Sequence, residues 1–229
     1  MCGRTALFAP QADLEAGFGA TIVTDGGYRP RYNITPGDPL EVITADAVDE
    51  VDQYHWGIIP AWKDNPGEGL INARSETASE KRTFRDAWES RPCVVLSSGF
   101  YEWQTQPSGP KRPYRIYRED APAFAIAGLW DVWEDDGQEL PCVTILTTEP
   151  NDLMQPIHDR MPVVLPSGHE HDWLTANPSA RKEMCQAYPD DDLAAYEIST
   201  RVNNPKNDDP SIIEPVGHEQ SGLGDYGSD

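Results

Sequence analysis

The chain predicts an α+β fold dominated by antiparallel strands, and three observations carry that reading. Segments rich in β-branched and aromatic residues outnumber those with helical character. An acidic, glycine-containing turn joins two of the extended segments as a hairpin. The 21 prolines and 18 glycines leave much of the remainder as loop.

In chain order, the first helix is expected over 10–18, followed by extended segments over 40–44 and 51–59. A helix follows over 77–89, where Thr77 and Glu80 have capping-box spacing. Extended runs return over 93–104, 114–118, 123–133 and 141–147, with 134–139 as the hairpin turn. Short helices are expected near 170–176 and 179–187. No internal repeat, low-complexity linker or composition break divides the 229 residues, so 1–216 reads as one domain. Residues 217–229, Gly-rich and polar, read as a flexible acidic tail.

Composition narrows the class of function. The net charge is −21, with 38% apolar and 9% aromatic residues. Acidity spread over an ordinary core suggests a surface suited to concentrated salt, where the screening length falls to about 3 Å at 1 M, and hence a salt-adapted source. Charge of this sign argues against tight, purely electrostatic binding to nucleic acid. The longest nearly apolar stretch, 121–133, is too short to span a bilayer and contains Pro122 and Asp131, so no membrane association is expected. MCGRTALFAP has no secretory pattern, and a cytoplasmic, monomeric protein is expected. Cys2, Cys93, Cys142 and Cys185 are too dispersed for a disulfide framework or a zinc site, and the last three read as buried thiols. His169 and His171 share a loop without further ligands, so no metal and no cofactor is expected.

The chemistry starts at residue two. If Met1 is removed, Cys2 presents an α-amine and a thiol on adjacent carbons, with ordinary pKa values of about 7.7 to 8.0 and about 8.5 that leave both partly reactive at neutrality. Such a pair condenses with an aldehyde to an imine, and the thiolate then closes a five-membered thiazolidine. Taken alone, Cys2 reads as an incidental residue near a chain end.

Six blocks occur in order: Met1-Cys2-Gly3-Arg4; Arg31-Tyr32-Asn33 with Pro36-Gly37; Trp56-Gly57 with Pro60 and Trp62; Ile71-Asn72-Ala73-Arg74-Ser75-Glu76-Thr77; Gly99-Phe100-Tyr101-Glu102-Trp103; and Ile157-His158-Asp159-Arg160-Met161-Pro162. Together they resemble the SOS-response-associated peptidase (SRAP) family, whose members shield abasic sites in single-stranded DNA, and the resemblance runs from Cys2 to about Pro215. It implies a single α+β domain with a mainly antiparallel β-barrel-like core and a few peripheral short helices. It also implies a covalent thiazolidine crosslink between Cys2 and the ring-opened sugar of an abasic site in single-stranded DNA.

The resemblance distributes roles over the chain. Glu102 becomes the acid/base beside Cys2, His158 moves protons to and from the sugar hydroxyl, and Asn72 orients the sugar and the Cys2 amine. Arg4, Arg74, Ser75 and Arg160 match phosphate-contacting positions, with Asn33 and Trp103 at further DNA-facing positions. Pro36 and Trp62 match an apolar wedge with duplex on one side only, and Lys63 stands where some relatives carry a second tryptophan. Read without the resemblance, Glu102 on an alternating strand faces water, His158 is an exposed loop histidine, and 72–77 is a helix-capping turn.

Other chemistries fit the same residues. Cys2, His158 and Glu102 would also serve as a Cys-His-carboxylate peptidase, minimally removing Met1. A noncovalent reader of damaged single strands would use Cys2 for packing only. Strand cleavage by β-elimination from the imine, a lyase outcome, is compatible with the amine nucleophile.

Overall fold

The computed structural model describes residues 2–63, 67, 69–189 and 192–217. The tail expected over 217–229 lies, apart from Gly217, outside the described residues.

Five strands build a closed barrel. They are β4 (Pro39–Thr44), β5 (Ala47–Trp56), β7 (Pro92–Ser97), β10 (Phe124–Asp135) and β11 (Gln138–Thr148). β4 pairs with β5 and β7, β7 with β10 and β10 with β11, all antiparallel. β11 then closes the ring through a parallel pairing with β5, Cys142 opposite His55 and Val143 opposite Trp56. The predicted hairpin is present: Asp135 pairs with Gln138 across Asp136-Gly137. Both turn residues have positive φ, 51° and 80°, which suits the right-handed strand twist. Three short strands extend the sheet: β2 (Thr21–Ile22) beside β5, and β6 (Asn72–Arg74) and β12 (Met161–Pro162) beside β11.

A second, antiparallel sheet has the order β13-β9-β8-β1-β3. Its strands are β1 (Thr5–Leu7), β3 (Arg31–Ile34), β8 (Gly99–Gln104), β9 (Arg112–Arg118) and β13 (Leu193–Glu197). The predicted run 93–104 is therefore two strands in two sheets. The chain changes sheet at Gly99, whose φ of 150° only glycine adopts readily and where a Cβ would stand 2.9 Å from the Ile116 carbonyl oxygen.

Helices α1 (Gln11–Phe18), α3 (Glu170–Thr175) and α4 (Pro178–Met184) match expectation, α4 being capped by Asn177. The helix expected over 77–89 is confined to α2 (Arg85–Ser90), preceded by successive turns. Burial explains the difference: Ala78, Phe84, Ala87 and Trp88 all enter the core, and one continuous helix would aim Ala78 away from the other three. The capping-box spacing at Thr77 thus marks a turn.

Trp56, Trp88, Trp133 and Trp173 are buried in the main core, together with Cys93, Cys142 and Cys185. A smaller cluster of Ala6, Tyr101, Ile198, Val202 and Ile212 fills the other side of the second sheet. It is covered by 198–217, which contains the 3-10 turns Thr200–Asn203 and Pro210–Ile213. Asp208 fastens this strap by accepting the Tyr32 and Asn33 backbone N–H groups at 2.5 and 2.9 Å and pairing with Arg31. No helix among the described residues is long and apolar enough to cross a membrane.

Candidate active site

Cys2 lies just ahead of β1 and is fully buried. Its Sγ is 3.9 Å from the Arg4 carbonyl oxygen, which also accepts the Tyr101 N–H at 2.9 Å. Pairing of β1 with β8, Thr5 opposite Phe100, sets Cys2 alongside the strand that carries Glu102. The parallel pairing of β6 with β11 brings in Asn72, whose Nδ2 donates to the Cys2 carbonyl oxygen at 2.7 Å. Asn72 Oδ1 is buried without a hydrogen-bond partner among the described residues.

Glu102 does not face water as strand alternation alone suggests. Both faces of β8 are covered: Phe100 enters the main core and Tyr101 the smaller one. At 2% exposure, burial pushes the Glu102 carboxyl up to about 7. His158 stands over it, Nε2 3.8 Å from Glu102 Oε2. His158 Nδ1 accepts the Arg160 backbone N–H at 3.0 Å and lies 3.0 Å from Asp159 Oδ1. Burial lowers the His158 pKa, which favours the uncharged ring beside Glu102.

One expectation needs correction. The ordinary thiol pKa does not apply to Cys2: burial, reinforced by the charge of Glu102, raises it far above the usual range. A thiol raised this far stays protonated at neutral pH unless a neighbouring base takes its proton, and the buried carboxyl of Glu102 is the acid group whose charge acts on it.

The remaining predicted residues fall into three groups. Arg4, Asn33 and Trp103 form one network with the strap. Arg4 Nη1 donates to Asn33 Oδ1 at 2.7 Å and to the Val202 carbonyl at 2.5 Å, and its guanidinium lies over the Trp103 ring. Asn33 is buried, with Nδ2 directed to the carbonyls of Val202, Asn204 and Asn207. Trp103 Nε1 donates to Asn203 Oδ1 at 2.8 Å.

Arg74, Ser75 and Arg160 gather along the β6–β11 edge. Arg74 is exposed, whereas Ser75 is buried and gives its N–H to the Thr147 carbonyl. Arg160 grips Glu76 with two bonds of 2.7 and 2.9 Å and also donates to the Thr147 carbonyl. Pro36 and Trp62 stand on separate loops that meet at Trp56: the Gly37 N–H donates to the Trp56 carbonyl at 3.0 Å, and the chain leaves that strand end toward Trp62. Trp62 is 55% exposed.

Sequence reasoning missed Lys111. It shares with Trp103, Gln155, His158 and Asp159 a cleft of about 380 Å³, and its charge lowers the pKa of both Glu102 and His158. Nothing in the polar loop Gly109-Pro110-Lys111 signals it, since only the pairing of β8 with β9 returns that loop to the site.

Residues 1–205 match the sequence model of the family described as SOS response associated peptidase (SRAP). The chain is 40% identical over 222 residues to the abasic site processing protein YoqW of Bacillus subtilis, covering 93% of this chain and 99% of that one. It is 30% identical to the abasic site processing protein YedK of Escherichia coli, covering 94% and 100%. It is 32% identical to the abasic site processing protein HMCES of Xenopus tropicalis, covering 94% and 78%. Among solved structures, a protein from Bacteroides thetaiotaomicron superposes with a TM-score of 0.84 at 27% identity, covering 94% of this chain and all of that one. The chain belongs to the SOS response associated peptidase family.

Proposed function

We propose that this protein processes abasic sites in single-stranded DNA by forming a covalent thiazolidine through Cys2 once Met1 has been removed. The names of its relatives support the substrate, and the bond from Asn72 to the Cys2 carbonyl, with Glu102 and His158 alongside, supports the chemistry. The bond at the carbonyl fixes Cys2 from behind, and the unpartnered Asn72 Oδ1 is an acceptor for an N–H of the freed α-amine.

The reaction balances without an oxidant or cofactor. The amine nitrogen adds to the C1′ aldehyde and one water leaves, giving an imine. The thiol proton passes to Glu102 and sulfur bonds to the same carbon. The ring nitrogen takes up a proton, and His158 exchanges protons with the sugar hydroxyl during opening. Burial of the uncharged thiol holds sulfur unreactive until the imine stands beside it. Removal of Met1 precedes this sequence, and strand cleavage from the imine is its side reaction. In this role the protein acts as a cytoplasmic monomer that shields the lesion.

The test is incubation with an oligonucleotide bearing one abasic site, followed by a denaturing gel and mass spectrometry. A shifted band with the summed mass less one water is expected, absent for Cys2→Ala and for chain that retains Met1. A band that survives Cys2→Ala overturns the proposal.

A further inference from the structure

Building on the function proposed above, we propose that Arg82, with Lys81 and Arg85, forms a phosphate track for the nucleic-acid arm that runs past Trp62. Three observations meet here. The Arg82 guanidinium lies 4.9 Å from the centroid of the Trp62 ring, and Lys81, Arg82 and Arg85 are all exposed. Residues 74–85 contain four basic and two acidic side chains in a chain of net charge −21. One of those acids, Glu76, is held by Arg160; the other, Glu80, is exposed, and among the described residues Arg85 makes one ion pair, a solvent-exposed contact with Asp86.

The connection to the site is short at both ends. The loop bearing Trp62 is pinched at its neck, where Ile58 and Leu70 exchange backbone hydrogen bonds of 3.1 and 2.8 Å, and two residues later the chain reaches Asn72. Beyond Arg74 the chain turns back on itself through bonds from the Thr77 and Ala78 N–H groups to the Arg74 carbonyl, and Lys81 follows. Arg82 covers one face of the indole, so a base stacks only on the other face. The backbone of that nucleotide then runs along the guanidinium, and local positive charge holds phosphate that the acidic body as a whole repels. The occupant is a phosphodiester backbone, from either a single-stranded or a duplex arm.

The experiment compares crosslinking rates on a short abasic oligonucleotide with those on versions extended on the 5′ side or the 3′ side, each left single-stranded or made duplex. For the natural chain, one extension raises the rate at low salt. In Lys81→Ala/Arg82→Ala the ratio of long to short falls to about one, and Arg82→Lys restores much of it. Arg29→Ala, which removes an exposed charge on the β2–β3 connection, keeps the ratio. Binding of undamaged strands by fluorescence anisotropy reads the same track without any crosslink. The double variant's log–log salt slope is shallower by roughly 0.7 per lost contact if the arm is single-stranded and roughly 0.9 if it is duplex. An unchanged ratio and slope, or an equal loss in Arg29→Ala, overturns the track. Absence of crosslinking by the natural chain on every substrate, with the slope difference retained, overturns the Cys2 chemistry and leaves the track standing.

Discussion

Asn72 and Cys2, 70 residues apart in sequence, are joined by a 2.7 Å bond from the Asn72 amide to the Cys2 carbonyl. Among the described residues β6 pairs with β11, so the barrel wall positions Cys2 through Asn72. Asn72→Ala should slow crosslinking by about 100-fold, the scale expected when reacting groups shift by about 1 Å. Stability should fall by only about 1 kcal/mol. Initial rates on denaturing gels and thermal melting check both, and an unchanged rate counts against this role.

Glu102 makes the site pH-dependent in two opposite senses. Its folded pKa of about 7 stands above the ordinary 4.5, so burial favours the neutral form. The group's contribution to stability is full below about pH 4.5 and is lost as pH rises through about 7. Its capacity as a base grows over the same interval. Glu102→Gln should therefore be the more stable protein at pH 8, yet crosslink about 100- to 10,000-fold more slowly. Its rate profile should lack the rise near pH 7; a variant that keeps that inflection assigns it to another group.

Arg74 and Arg160 should separate, because one is exposed and the other grips Glu76. Arg74→Ala should leave the melting temperature unchanged and make the salt slope of single-strand binding shallower by roughly 0.7. Arg160→Ala removes the charged grip on Glu76 and one of the two donors to the Thr147 carbonyl, which Ser75 still serves, and should cost about 1 to 3 kcal/mol of stability. Equal melting temperatures for the two variants would contradict this division.

Asn33 ties three strap carbonyls to β3. Asn33→Ala should destabilise the protein by about 2 to 4 kcal/mol and raise hydrogen exchange across 198–217 before the barrel strands exchange. Loss of DNA binding with unaltered exchange would assign Asn33 to DNA contact instead.

Net charge of −21 predicts that stability rises with salt, as screening mutes self-repulsion. Crosslinking should persist at salt concentrations where noncovalent retention of intact DNA has vanished, because a bond once formed does not depend on equilibrium affinity. Melting in dilute and concentrated buffer and paired retention assays check this, and equal salt sensitivity of bond and complex would refute it.

The helices α1, α3 and α4 and the β10–β11 hairpin were legible because local pattern and turn chemistry determine them: Asp136-Gly137 permits the tight turn wherever the strands lie. The blocks holding Cys2, Asn72, Glu102 and His158 were legible as a family pattern, which carries residue identity but no geometry. Sheet membership was hidden, since the break at Gly99 that sends β7 to the barrel and β8 to the other sheet depends on the approach of Ile116 from a distant strand. So were the covering of both faces of β8 that buries Glu102, the raised thiol pKa of Cys2, the Arg160–Glu76 grip and the return of Lys111. Each is set by what packs against a side chain from elsewhere in the chain. The sequence by itself determined which reactive groups are present and the spacing of the local elements; only the tertiary structure decided which groups meet and in what dielectric, because desolvation and long-range pairing arise when the barrel closes.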